Sequence, residues 1–178
     1  MRKVVLYMLV SLDGVAEEPG DWMFDVDEEV FGNLARVVRD QDAVLLGRGT
    51  YDYWVDYWPT SDVEPFATFI NATTKHVFTS TPLAKTWANT QMVTSPPVEY
   101  VADLKGRPGG EIGIHGSLTL AQTLLRAGMV NELRLVVAPS LAGHGRRLFD
   151  GVPTPQRLQL LEETRTSAGN LVLHYQVS

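Results

Sequence analysis

Two strand-to-helix turns in this sequence have the residue types that receive an anion. The first is Gly47-Arg48-Gly49-Thr50, after the apolar run at 43–47. Glycine lets a backbone come close to a ligand, an opening helix presents free N–H groups, and Arg48 offers a forked cation. His115-Gly116-Ser117-Leu118 repeats this logic after EIGIH. A third strand end, Thr79-Ser80-Thr81, is rich in hydroxyls. Together they suit several phosphates along one crevice. Separately, each turn also reads as an ordinary strand–helix connection, and the 79–81 hydroxyls as partners for local backbone groups. Asp52 stands where a G-x-G-x-x-G fingerprint needs its last glycine, and no G-K-[ST] follows, so neither the usual dinucleotide motif nor a P-loop is present.

Carboxylates near such a crevice are Asp13, Asp27, Glu28 and Glu29. Asp13 and Asp27 are the candidates for proton transfer. Asp13 equally serves its own SLDG turn, and Asp27 equally suits the first turn of a helix. The aromatic group Tyr51, Tyr53, Trp54, Tyr57 and Trp58 reads as a cavity for a flat ring, as core, or as a subunit interface. Four histidines with no i, i+4 pair give no metal site. Among them, His115 is either a ligand contact or a satisfied structural histidine. Lys75 and His76 read as solvated residues entering a strand.

The elements that must hold these residues follow from periodicity. Val4–Val10 is a doubly buried strand. Apolar residues from Asp27 to Arg39 recur at helical spacing. After the strand at 43–47, Thr50 is expected to cap a helix that runs to Pro59. A helical stretch at 65–70, strands at 75–80 and 90–94, and a helix at 98–104 precede the strand Glu111–His115. The helix opened by Leu118 stops at Gly128, a C′ residue. A strand at 132–140 and a terminal hairpin, 157–165 with 170–177, close the chain. This alternation predicts an α/β fold with a mostly parallel sheet, flanking helices and an antiparallel edge, in one domain spanning 1–178. Fifteen Lys+Arg against 21 Asp+Glu, a net charge of −6, argue against a nucleic-acid surface. The opening apolar run is far short of the roughly 20 residues of a membrane span. Absence of cysteine removes disulfides, thiolate chemistry and Cys-ligated zinc, and fits a cytoplasmic origin.

VVLYMLVSLDG, DAVLLGRGTYDYW, KHVFTSTP and the stretch from EIGIHGS to GHGRRLF resemble the dihydrofolate-reductase-like superfamily. More closely, they are similar to the reductase domain of the riboflavin-biosynthesis deaminase-reductase and its stand-alone bacterial relatives. The resemblance implies a central mixed sheet, NADPH as cofactor, a small pyrimidine- or pterin-like substrate, and a homodimer whose apolar interface is ELRLVVA or the aromatic helix. It implies that Gly47, Arg48 and Thr50 meet the cofactor's phosphates and that Thr79, Ser80 and Thr81 lie near the 2′-phosphate. His115, Gly116, Ser117 and Leu118 would hold the pyrophosphate and nicotinamide side. Trp22, Phe31 and Trp54 would border the substrate, with Asp27 and Asp13 as catalytic carboxylates. Two registers remain for the pterin-polarising acid, one placing Asp27 there and one placing Phe31. Deamination is excluded for this stretch, which lacks the zinc-ligating cysteines. Dihydrofolate-reductase-like activity and a non-catalytic dimeric binding protein are the competing readings.

Overall fold

A parallel strand buried on both faces requires cover on both sides, and the chain alternates strands and helices to supply it. The structure, a computed structural model, describes residues 1–177. Its strands are β1 (Val4–Val10), β2 (Gln41–Gly47), β3 (Thr74–Phe78), β4 (Thr90–Val93), β5 (Glu111–His115), β6 (Glu132–Val137), β7 (Leu158–Arg165) and β8 (Leu171–Val177). They form one sheet in the order β4-β3-β2-β5-β1-β6-β8-β7. The first six in that order run parallel, while β8 and β7 are antiparallel to their neighbours. This is the mixed α/β architecture expected.

Side chains alternate across the strands and so divide the core in two. On one face Val4, Leu6, Leu45, Ile112 and Ile114 pack under α4 (Pro97–Gly106) and α5 (Leu118–Arg126), through Val101, Leu104, Ala121 and Leu124. On the other, Val5 and Tyr7 meet Val30 and Val37 of α1 (Glu28–Val38). Beside them Val44, Leu46 and Val77 pack under Tyr51 and Val55 of α2 (Arg48–Tyr57) and Ile70 of α3 (Phe66–Ala72).

Several local expectations change. Thr50 lies inside the first turn of α2, whose N-cap is Gly47, because the chain passes from strand to helix with no intervening loop. Lys75 and His76 are buried, not solvated. The Lys75 ammonium donates to the carbonyls of Ile70 (2.7 Å) and Thr73 (2.9 Å), closing the C-terminal end of α3. His76 turns to the opposite face, where its Nδ1 lies 2.9 Å from the Tyr100 hydroxyl. The run ELRLVVA forms β6, an interior strand between β1 and β8, and its residues apart from Arg134 and Val137 are buried within the chain. Gly128 behaves as expected: its φ of +67° ends α5, and the next N–H returns to the Leu124 carbonyl at 2.9 Å.

Asp27 is the N-cap of α1. Its carboxylate accepts from the N–H of Val30 (3.0 Å) and from that of Ala168 (3.2 Å) in the β7–β8 turn. At the far end of the sheet, Glu132 is buried and accepts from Lys3 (2.7 Å) and Arg134 (2.9 Å), with His174 Nε2 at 2.9 Å. Burial alone would raise its pKa, but the hydrogen bonds from Lys3 and Arg134 outweigh it and bring the carboxyl down to about 2.

Two outcomes follow. Asp27→Ala should lower stability by about 1 kcal/mol in urea unfolding, and a change near zero would show that the cap carries no weight. Because the Glu132 pKa falls from 4.5 unfolded to about 2 folded, its contribution is complete above pH 4.5 and lost as pH drops towards 2. Glu132→Gln should therefore lose less stability than wild type across that window; equal losses would place the acid sensitivity elsewhere.

Candidate functional site

The C-terminal ends of β2 and β5 are adjacent, yet α2 leaves β2 towards one face and α5 leaves β5 towards the other. In open α/β sheets ligands gather beyond the carboxyl ends of the strands, at points where successive helices diverge in this way. Neither helix has a side-chain cap, so their first N–H groups stay free to meet negative charge. Ser117, the N-cap of α5, instead accepts from the Gly47 N–H at 2.9 Å, which ties the two turns together. Gly116 has φ +82°, and a Cβ there would lie 3.0 Å from Cζ2 of Trp54. The second turn is thus fitted against the aromatic helix, and only glycine meets both demands.

Arg48 opens α2 and reaches across to the exit of β3. Its Nε donates to both carboxylate oxygens of Asp52, at 2.9 and 2.8 Å. Its Nη1 lies within hydrogen-bond reach of Thr79 Oγ1 (3.2 Å), Thr81 Oγ1 (2.9 Å), and the carbonyls of Thr81 (3.2 Å) and Pro82 (3.1 Å). The exposed Ser80 lies between the two threonines. Residues distant in sequence, Gly47, Arg48, Thr79, Thr81, Gly116 and Ser117, are thereby brought together, while Leu118 opens α5 with its side chain buried in the core. The donor set, two open helix ends plus a guanidinium and hydroxyls, fits a group carrying more than one phosphate.

His115 is not part of that donor set. Its ring is 3% exposed, its Nε2 lies 2.8 Å from Gln41 Oε1, and it packs against Tyr7 and Phe66 with centroids at 5.7 and 5.2 Å. Burial pushes its pKa down to about 3, so it is neutral. The buried His115 Nδ1 and Trp58 Nε1 find no partner among the described residues, and both rings pack on Phe66. Within the aromatic group Trp54 and Tyr57 pack on Trp58, and Trp54 and Trp58 pack on Phe66; of the other residues expected to border the substrate, Trp22 is buried in the α1 cluster and Phe31 is half-buried on α1 itself.

The two carboxylates singled out are both engaged. Asp13 accepts from the Ser11 hydroxyl at 2.6 Å and from the N–H groups of Ala142 (3.0 Å) and Gly143 (2.9 Å), which hold it well below the usual carboxylate range. Asp27 caps α1 as described. Trp22 does border a cleft of about 120 Å³ with Glu17, Asp21, Leu141 and His144, at the ends of β1 and β6. Asp52, Gln41 and Phe66 are residues that the motifs do not mark. Only Asp52 carried a sequence signal, its i, i+4 spacing from Arg48; the other two act through contacts distant along the chain.

The match to the RibD C-terminal domain family covers residues 2–172. Two uncharacterized proteins of Bacillus subtilis (strain 168) are similar over nearly their whole lengths. YyaP is 28% identical over 96% of this chain and 92% of its own, and YwjB is 29% identical over 98% and 97%. Among solved structures, a protein assigned to riboflavin biosynthesis from Shewanella sp. PV-4 superposes with a TM-score of 0.81 at 18% identity, covering 99% of both chains. A pyrimidine reductase-like protein from Corynebacterium diphtheriae gives 0.69 at 14% identity, over 99% of this chain and 92% of that one. The deaminase/5-amino-6-(5-phosphoribosylamino)uracil reductase of Thermotoga maritima gives 0.71 at 17% identity, with this chain spanning 57% of its length. These likenesses establish the RibD-like, dihydrofolate-reductase-like fold. On the strength of the whole-length family match, the chain belongs to the RibD C-terminal domain family.

Proposed function

We propose that this chain is an NADPH-dependent reductase of a small pyrimidine- or pterin-like heterocycle, related in chemistry to 5-amino-6-(5-phosphoribosylamino)uracil reductase. The observation that carries the reading is the pair of uncapped helices diverging from adjacent strand ends, flanked by Arg48 and the Thr79–Thr81 hydroxyls. The residues fit the dinucleotide. The first N–H groups of α2 and α5 would hold the pyrophosphate, with Gly47, Thr50, Gly116 and Ser117 letting it approach. Arg48 with Thr79, Ser80 and Thr81 would take the 2′-phosphate, and Gly116 and Leu118 would border the nicotinamide. Bound NADPH supplies a hydride for reduction of a C=N bond. The chain's own work is to hold two rings in register and keep water from between them.

The cleft at Trp22, Glu17, Asp21 and His144 has an aromatic wall and acidic rim that suit a flat, amino-substituted ring. Asp13 and Asp27, expected as catalysts, act in this reading as positioning residues. Asp13 pins the SLDG turn to the 142–143 loop, and Asp27 pins α1 to the terminal hairpin. That engagement favours the reductase of a riboflavin-type precursor over a dihydrofolate reductase that depends on a free carboxylate on α1. The same reading takes the chain as a cytoplasmic homodimer. The uncovered edge strand β7, with Leu160 and Leu161 about half exposed, supports a second copy on that side.

The direct test is titration with NADPH and with NADH, following tryptophan quenching. NADPH-selective binding, followed by NADPH consumption with aminopyrimidines or pterins, is the expected result; no binding of either nucleotide would overturn the reading. Arg48→Ala should weaken NADPH binding about tenfold or more while changing NADH binding less. Gly116→Ala should abolish NADPH binding and cost about 1–2 kcal/mol of stability, since alanine meets the left-handed backbone and Trp54 together; a variant that binds normally would remove the second turn from the cradle.

A further inference from the structure

Resting on that nucleotide reading, we propose that Asp52 limits how strongly this chain prefers a 2′-phosphorylated nucleotide. A guanidinium has five N–H donors in a fixed fork. In Arg48 the Nε edge is held by both oxygens of Asp52, and Nη1 is directed at four oxygens of Thr79, Thr81 and Pro82. Only Nη2 has no partner among the described residues. An incoming phosphate therefore meets a fork that is already mostly spent, and a carboxylate within the same ion pair.

The charges point the same way. Asp52 neutralises the cation that the phosphate would seek, and its own negative charge repels a group carrying nearly two more. The ion pair is solvent-accessible, with side-chain exposure of 30% for Arg48 and 50% for Asp52, so the penalty is moderate and sensitive to salt. A carboxylate that only stabilised α2 as an i, i+4 partner would leave nucleotide choice untouched. The competing possibility is that Asp52 aligns Arg48 for the phosphate, in which case removing its charge weakens binding.

Calorimetric titration with adenosine 2′,5′-bisphosphate and with 5′-AMP, which differ only in the 2′-phosphate, separates these cases. Asp52→Asn keeps the shape and removes the charge. It should bind the bisphosphate about three- to tenfold more tightly than wild type at low salt, with the gain shrinking in about 0.5 M salt. The affinity for 5′-AMP should stay the same, which also reports on an intact fold; Asp52→Ala provides a second variant with the same expected sign. Unchanged or weaker bisphosphate binding in both variants, with 5′-AMP binding retained, would overturn the proposal while leaving the nucleotide site standing. Failure of the wild-type protein to bind either nucleotide would instead overturn the underlying cofactor reading, and the proposal with it.

Discussion

The candidate site depends on β2 and β5 being hydrogen-bonded neighbours whose following helices leave on opposite faces. A helix that begins directly at a strand end has N–H groups without intrahelical partners, and they must face solvent or a ligand. Two such ends, side by side, concentrate that unmet donor capacity at one point of the sheet edge. The Ser117 hydroxyl accepts from Gly47 N–H, so the two turns are held together as one unit. Gly116 follows from the same geometry, because the aromatic side of α2 lies against the turn that leaves β5.

Positive potential at this edge is local. The chain carries a net charge of −6, and the cation nearest the two turns, Arg48, is paired with a carboxylate on its own helix. Attraction for an anion must therefore come from oriented backbone dipoles and from the part of the guanidinium fork that Asp52 leaves open. Dipoles fixed by helix packing need no rearrangement when a ligand arrives, which makes them a better basis for a phosphate site than mobile surface lysines.

The polar groups away from the edge mostly hold the architecture. Asp13 draws the loop after β6 onto the turn after β1, and Asp27 joins the start of α1 to the terminal hairpin. Lys75 closes a helix from inside the core, its pKa lowered to about 8 by burial. Glu132 gathers Lys3, Arg134 and His174 at the opposite end of the sheet. Carboxylates so engaged are poor proton donors, since ionisation is what their hydrogen bonds favour.

Much of the fold was legible because it rests on local pattern. The period of Val4–Val10, the stripe from Val30 to Val38, the turn glycines and the terminal hairpin each encode an element within a few residues, and these elements stand where periodicity places them. The GRGT and HGS turns and the hydroxyls at 79–81 were legible as types able to meet phosphate, and the resemblance to the reductase family rests on those same residues. Tertiary structure decided what local pattern does not encode. The order of the sheet puts β5 between β2 and β1 and so brings Gly116 to Gly47, nearly seventy residues away. It turns His115 inward onto Gln41, buries Trp22 in the cluster under α1 and packs Trp54 against Trp58 and Phe66. It also assigns the Asp13 and Asp27 carboxylates to backbone groups more than a hundred residues along the chain. A side chain's type fixes what it can bond to, but which partner it meets is set by long-range packing, and that is a property of the folded chain alone.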